Sequence, residues 1–212
     1  MVLNPLGEAR ADSPLTSTDL SRGYLNVSEV GIARQNQRVE GPVLTFLLGP
    51  ASLDKKAAVV NALGWTLEGE NPNSRLFLEG LAKSKRLTVE QLRPGDLSTS
   101  DRFVFGYLRA MGDYLNLSSP EGPPDAFTDE YGTPLQMLSQ AANEKPGDFT
   151  IQFVRSLVQS QMNFSRSWCA IYVDTQNVLN RFPRIRRNMN AESVRAAVSY
   201  LEGYGLYCEP GA

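Results

Sequence analysis

Over most of the chain, apolar residues recur at helical rather than strand spacing. Leu53, Ala57, Val60 and Leu63 share one face of a stretch that Ser52 can cap and Gly64 can stop. Leu76 to Lys85 repeats the pattern, interrupted by Gly80. Thr88 and Gln91 form a capping box before a short turn ending at Arg93-Pro94-Gly95. Ser98 or Ser100 then starts the clearest helix, to about Leu115, with Phe103, Tyr107, Met111 and Tyr114 in one stripe. Such a stripe is core rather than a ligand pocket. Thr133 and Pro134 open a further helix, with proline at the first helical position. Asp148 opens another, with Phe149, Phe153, Leu157 and Met162 inward. Asn190 caps a last helix through Val194, Val198 and Leu201, closed by Gly203 and Gly205.

Two apolar runs resist this reading. Residues 41–50 (GPVLTFLLGP) hold an apolar element between two prolines, and residues 168–180 (WCAIYVDTQNVLN) fit helix or strand equally. The first forty positions are different again. Broken by Pro5, Gly7 and Pro14 and rich in Ser, Thr, Asn and Gln, they predict an extended arm with at most one short helix, near Val27 to Arg34. An arm with so little core docks on its own body or on a neighbouring copy. The segment SSPEGPPDAFTDEYGT (118–133) holds three prolines, two glycines and four acids and reads as a loop. The expected architecture is mainly α: a compact multi-helix domain with an extended N-terminal arm (1–40) and at most minor strand content. Within it, a helical front half (41–117) and back half (134–212) flank the acidic loop (118–133).

Composition narrows the function classes. The 212 residues include no histidine. That removes Ser-His-Asp and Cys-His catalysis, histidine zinc sites and a histidine pH switch. No other acid/base, metal or phosphate-loop constellation replaces them: GxSxG is absent, and Lys55-Lys56 in GPASLDKK lack the GxxxxGK[ST] spacing. Asp174 alone reads as a turn or cap residue. No enzyme, cofactor, metal or small-molecule substrate is expected, and a histidine-free enzyme using Tyr, Asp or Lys is the outlying alternative. Net charge is −2 and the isoelectric point about 5.3, against nucleic-acid binding by the whole surface. Cys169 and Cys208 carry no CxxC spacing and are expected as reduced thiols. Sequons at Asn26, Asn116 and Asn163 are expected as chance matches. The N-terminus lacks the apolar core of a signal peptide, and no stretch has the length of a membrane span, so the chain reads as intracellular.

One local patch opposes the global charge. NRFPRIRRNMN (180–190) sets Arg181, Arg184, Arg186 and Arg187 around Phe182 and Ile185, with Arg166 and Arg195 against Asp174 and Glu192 nearby in sequence. Arginine favours bidentate contact with phosphate or carboxylate. Two readings stay open: a nucleic-acid or anionic-surface contact with Phe182 available to stack, or a salt-bridge strip facing acids such as Glu121, Asp125, Asp129 and Glu130. A second basic cluster (Lys83, Lys85, Arg86, with Arg75 and Arg93) reads as a solvated helix end.

Three fragments resemble helical proteins of negative-strand RNA viruses. VLTFLLGP (43–50) is similar to an early element of paramyxovirus-type nucleoproteins. LSTSDRFVFGYLRAMGDYLN (97–116) resembles a central helix of bunyavirus nucleoproteins, and KPGDFTIQFVRSLVQ (145–159) a segment of orthomyxovirus matrix proteins. The resemblance implies polymerisation around RNA or beneath a membrane, without catalysis. The acidic isoelectric point departs from both families. The expectation is a self-assembling structural protein, a nucleocapsid or coat protein that packages RNA through Arg181, Phe182, Arg184, Arg186, Arg187 and Arg195. Its partners would be other copies of itself, through the arm, and RNA, in the cell or a virion. The alternative is a matrix-like scaffold that binds proteins or an anionic membrane.

Overall fold

A computed structural model describes residues 13–65, 72–112, 117 and 127–208. Every regular element among them is helical. In chain order these are α1 (Ser28–Asn36), α2 (Gly41–Leu48), α3 (Leu53–Ala62), α4 (Asn73–Ser84), α5 (Thr99–Gly112), α6 (Thr128–Tyr131), α7 (Pro134–Glu144), α8 (Phe149–Asn163), α9 (Trp168–Arg181) and α10 (Ala191–Leu201). Short 3-10 turns join several of them, and the last runs from Glu202 to Cys208. No helix among the described residues is long and apolar enough to cross a membrane.

The axis of the fold is α8. Asp148 caps it by accepting the Ile151 N–H at 3.1 Å. Phe149, Phe153 and Leu157 are buried as their spacing predicts, but so are Ile151, Val154 and Val158 on other faces. A helix apolar on most sides is one surrounded by others, and α3, α5, α7 and α9 all pack on it. Met162 is only half-buried because it lies past this enclosed stretch. Beside it, α5 buries Phe103, Phe105 and Tyr107 completely. A side chain of that size contributes about 2–3 kcal/mol on full burial. Tyr114 of the expected stripe lies outside the described residues.

Close approaches explain two glycines inside helices. A Cβ at Gly106 would lie 3.1 Å from the Met137 Cβ, where α5 meets α7. At Gly80 it would overlap the Leu44 side chain at 2.7 Å, so the residue that weakened the expected helix lets α4 close on α2.

Both ambiguous segments are helices. In α2, Pro42 stands in the first turn, where its fixed φ suits a helix. Ser167 caps α9 by accepting the Ala170 N–H at 3.2 Å, and Ile171, Thr175 and Val178 turn inward at helical spacing. The last α-helix ends at Leu201, before the two glycines, and the chain then continues through Gly203 and Gly205 in 3-10 form. The loop expectation for 118–133 holds a helical turn, α6; residues 118–126 lie outside the described residues. Buried Arg109 ties this part down, donating to the Gly132 carbonyl at 2.7 Å and to Thr128 Oγ1 at 3.3 Å.

The arm expected over 1–40 is corrected from Ser13 onward; residues 1–12 lie outside the described residues. Leu15, Leu20, Val30, Ala33 and Val39 are wholly buried in the common core. The Leu15 N–H donates to Gln161 Oε1, and Asn73 bridges the Val39 N–H (2.8 Å) and the Gln37 carbonyl (3.0 Å). Sparse apolar residues in a polar stretch suffice when long-range hydrogen bonds satisfy the backbone between them. This segment therefore packs on its own body.

Cys169 and Cys208 are joined in a disulfide, with Cα atoms 4.8 Å apart, so the expectation of reduced thiols is overturned. The bond staples the terminal 3-10 segment to the start of α9, beside Trp168, Tyr204 and Tyr207, whose rings meet edge to face. A separation of 39 residues has no signature that spacing could show.

Candidate anion-binding tip

The chain leaves α9 at Arg181 and turns over a buried ring. Phe182 is 2% exposed and packs edge to face on Phe149 at 5.7 Å. Its ring belongs to the core, which corrects the expectation that it is free to stack on a base. Pro183 then starts a single 3-10 turn, Arg184–Arg186, that stands clear of the body. Arg184 and Arg186 are exposed, and between them Ile185 is 95% exposed.

The arginines divide by task. Arg187 Nε donates to the Phe182 carbonyl at 2.8 Å and Nη2 to the Leu179 carbonyl at 3.1 Å, with the guanidinium 5.5 Å over the Phe149 ring. These carbonyls end α9 and have no intrahelical donor, so Arg187 serves as the side-chain cap of that helix. Burial first, and then the neighbouring Arg184, push its guanidinium below the usual arginine value. Arg181 reaches back to the Pro146 carbonyl at 3.2 Å and lies 5.6 Å over the Phe182 ring. Arg195 is exposed on α10, a separate element.

Among the described residues, none of these arginines lies within ion-pair distance of a carboxylate; the ion pairs present are Arg22–Glu192, Arg34–Asp19, Arg38–Glu40, Arg93–Glu130 and Arg102–Glu144. Glu130, one of the acids expected to face the strip, is held by Arg93 at 2.8 Å. Glu121 and Asp125 lie outside the described residues. The tip is held in place by the Asn188–Asn190 segment behind it. Asn188 receives the Thr150 N–H at 3.0 Å, and Asn190 caps α10 by accepting the Glu192 N–H at 2.8 Å.

Arg181 also lines a polar cleft of about 300 Å³ between α8 and α9, with Gln152, Arg155, Gln159, Asp174 and Asn177. Asp174 lies within α9, not at a turn or cap. It accepts from Asn163 Nδ2 at 2.7 Å, and burial raises its carboxyl above the usual value. The sequence reading missed the cleft because its residues come from two segments, one of them undecided between helix and strand, and only packing brings them together. Among the described residues, no group of three or more Cys, Asp or Glu side chains could hold a metal ion.

No protein family, curated protein or solved structure matches the chain.

Proposed function

We propose that this is a binding protein that docks its Arg181, Arg184 and Arg186 tip on a polyanion, with the phosphate backbone of single-stranded RNA as the first ligand. One observation carries the reading: exposed arginines with no carboxylate beside them among the described residues, on a chain of net charge −2. Exposed like charges left unneutralised repel one another, and a polyanion removes that cost while releasing its own counterions. With Phe182 in the core, the interaction is with phosphates rather than bases, so affinity has little sequence preference. Arg187 is committed to capping α9, which leaves about three phosphate contacts and a log–log salt slope of about −2. Arg184→Ala/Arg186→Ala should bring that slope to about −0.7 in a fluorescence-anisotropy titration. An unchanged slope in the double variant would refute the tip as the binding surface.

Ile185 favours a second reading, docking on an anionic membrane. An exposed isoleucine between two arginines suits a tip that dips into the headgroup layer while its charges meet lipid phosphates. The disulfide weighs the same way, because such bonds persist in oxidising compartments and at cell or virion surfaces. Vesicle flotation separates the two: Ile185→Ser weakens binding to phosphatidylserine vesicles under the second reading and leaves RNA affinity unchanged under the first.

A further inference from the structure

Lys56 is the anomaly of the core. It is 2% exposed, one of the largest fully buried side chains of the fold, while Lys55 beside it is exposed. A lysine buried for structure is held by a carboxylate. Here no acid lies within ion-pair distance among the described residues. The carboxylate that acts on it, Asp101, is engaged at the start of its own helix: Asp101 Oδ2 accepts the Ser98 N–H at 3.0 Å and the Ser98 hydroxyl at 2.7 Å. Lys56 Nζ instead lies 2.8 Å from Ser100 Oγ. An ammonium carries three donors, and the Ser100 hydroxyl oxygen accepts one of them. Burial pushes the amine below the ordinary lysine value, Lys145 pushes in the same direction, and Asp101 opposes them.

Ser100 supplies what the lysine lacks, access. It is half-exposed and sits in the first turn of α5. There the N–H groups of Thr99 and Ser100 have no intrahelical acceptor and the helix dipole favours negative charge. Lys56 Nζ donates to Ser100 Oγ here, and the same 2.8 Å separation lets a neutral amine accept the hydroxyl proton, as in serine–lysine acyl transfer.

We propose that Ser100 and Lys56 form a nucleophile–base dyad that hydrolyses an activated carboxylic ester, a second activity separate from the anion-binding tip. Ser100 Oγ attacks the ester carbonyl carbon while Lys56 Nζ takes the hydroxyl proton. First-turn N–H groups of α5 receive the developing oxyanion. Collapse of the tetrahedral intermediate breaks the bond to the leaving alcohol, which takes the proton back from Lys56. Water then attacks the acyl-Ser100 ester, its proton passing to Lys56 and on to Ser100. The products are one carboxylic acid and one alcohol per ester and water consumed.

The test is intact-mass labelling of the full chain with a fluorophosphonate, beside hydrolysis of p-nitrophenyl acetate. The expected result is a single adduct on Ser100, absent in Ser100→Ala. Lys56→Met should label more slowly by a factor of about 10²–10⁴, the usual contribution of a general base. In the native protein, the labelling rate should rise with pH to a half-maximum below the ordinary lysine value of 10.5. If Lys56→Met fails to fold, that pH profile decides the role of Lys56. Labelling no faster than in urea-denatured protein, equal labelling of Ser100→Ala, or a pH profile that follows hydroxide alone would each overturn the proposal.

Discussion

Breaking the Cys169–Cys208 bond tests the least expected feature of the fold, and its effect can be worked from one number. The bond closes a loop of 39 residues. In the chain-entropy treatment, such a loop denies the unfolded ensemble about 13 cal/mol/K, or about 4 kcal/mol at 25 °C. For a chain of this size each kcal/mol moves the melting midpoint by about 2–4 °C, so reduction should lower it by about 8–16 °C. The native contacts give no reason for this loss to be offset. A Cβ added at Gly205 would lie 3.4 Å from the Tyr172 ring, and Trp168 meets Tyr207 at 4.6 Å between ring centroids, so the terminal segment is already seated by its own contacts. The assay is urea unfolding of the oxidised protein, the phosphine-reduced protein and Cys169→Ser/Cys208→Ser, together with a count of free thiols. Two free thiols per native chain would refute the bond itself. No free thiols with an unfolding free energy changed by less than about 1 kcal/mol would refute the entropic argument, because the unfolded chain would then gain nothing from losing the link.

Two further outcomes separate structure from binding. Arg187→Ala should cost about 1–3 kcal/mol of stability in urea titration, since it strands the Leu179 and Phe182 carbonyls, while Arg184→Ala leaves stability within about 0.5 kcal/mol. Raising the pH past 10 should destabilise the protein. Burial holds the phenols of Tyr24 and Tyr107 well above the usual value of 10.0 and pushes Tyr131 up to about 12. The unfolded chain therefore ionises first, and stability present below pH 10 is lost as pH climbs toward the folded values, by at most about 1.4 kcal/mol per tyrosine per pH unit. Lys56 acts with the opposite sign and is outnumbered. A flat stability between pH 9 and about 11.5 would refute this burial of the phenols.

What could be read from the residues depended on how local the determining physics was. The Thr88–Gln91 capping box is local, and it is present, with the Thr88 N–H donating to Gln91 Oε1 at 2.9 Å. The same holds for Asp148 and for the stripe of Phe103, Tyr107 and Met111. The two apolar runs were undecidable alone because a short buried strand and a short buried helix share one composition; packing partners made both helical. Of the candidate site, the exposed arginines were legible from their density. Their division into a free tip and a helix cap was not, because Arg187 differs from Arg186 only in facing the Leu179 and Phe182 carbonyls. Phe182 was misplaced for the same reason: its partner, Phe149, lies 33 positions earlier in the chain.

The missing histidine bears on both proposals, and differently on each. At the tip it leaves arginine as the cation, so ionic strength is the variable that attaches or releases a polyanion. In the interior it removes the side chain that most readily exchanges a proton near neutrality, but not the chemistry itself. Burial shifts the Lys56 amine in the direction of the neutral, basic form. The dyad it makes with Ser100 spans 44 positions, so no spacing motif could announce it. An inventory of residue types excludes a reaction only when every remaining type keeps its solution pKa, and a lysine sealed among α3 and α5 does not meet that condition.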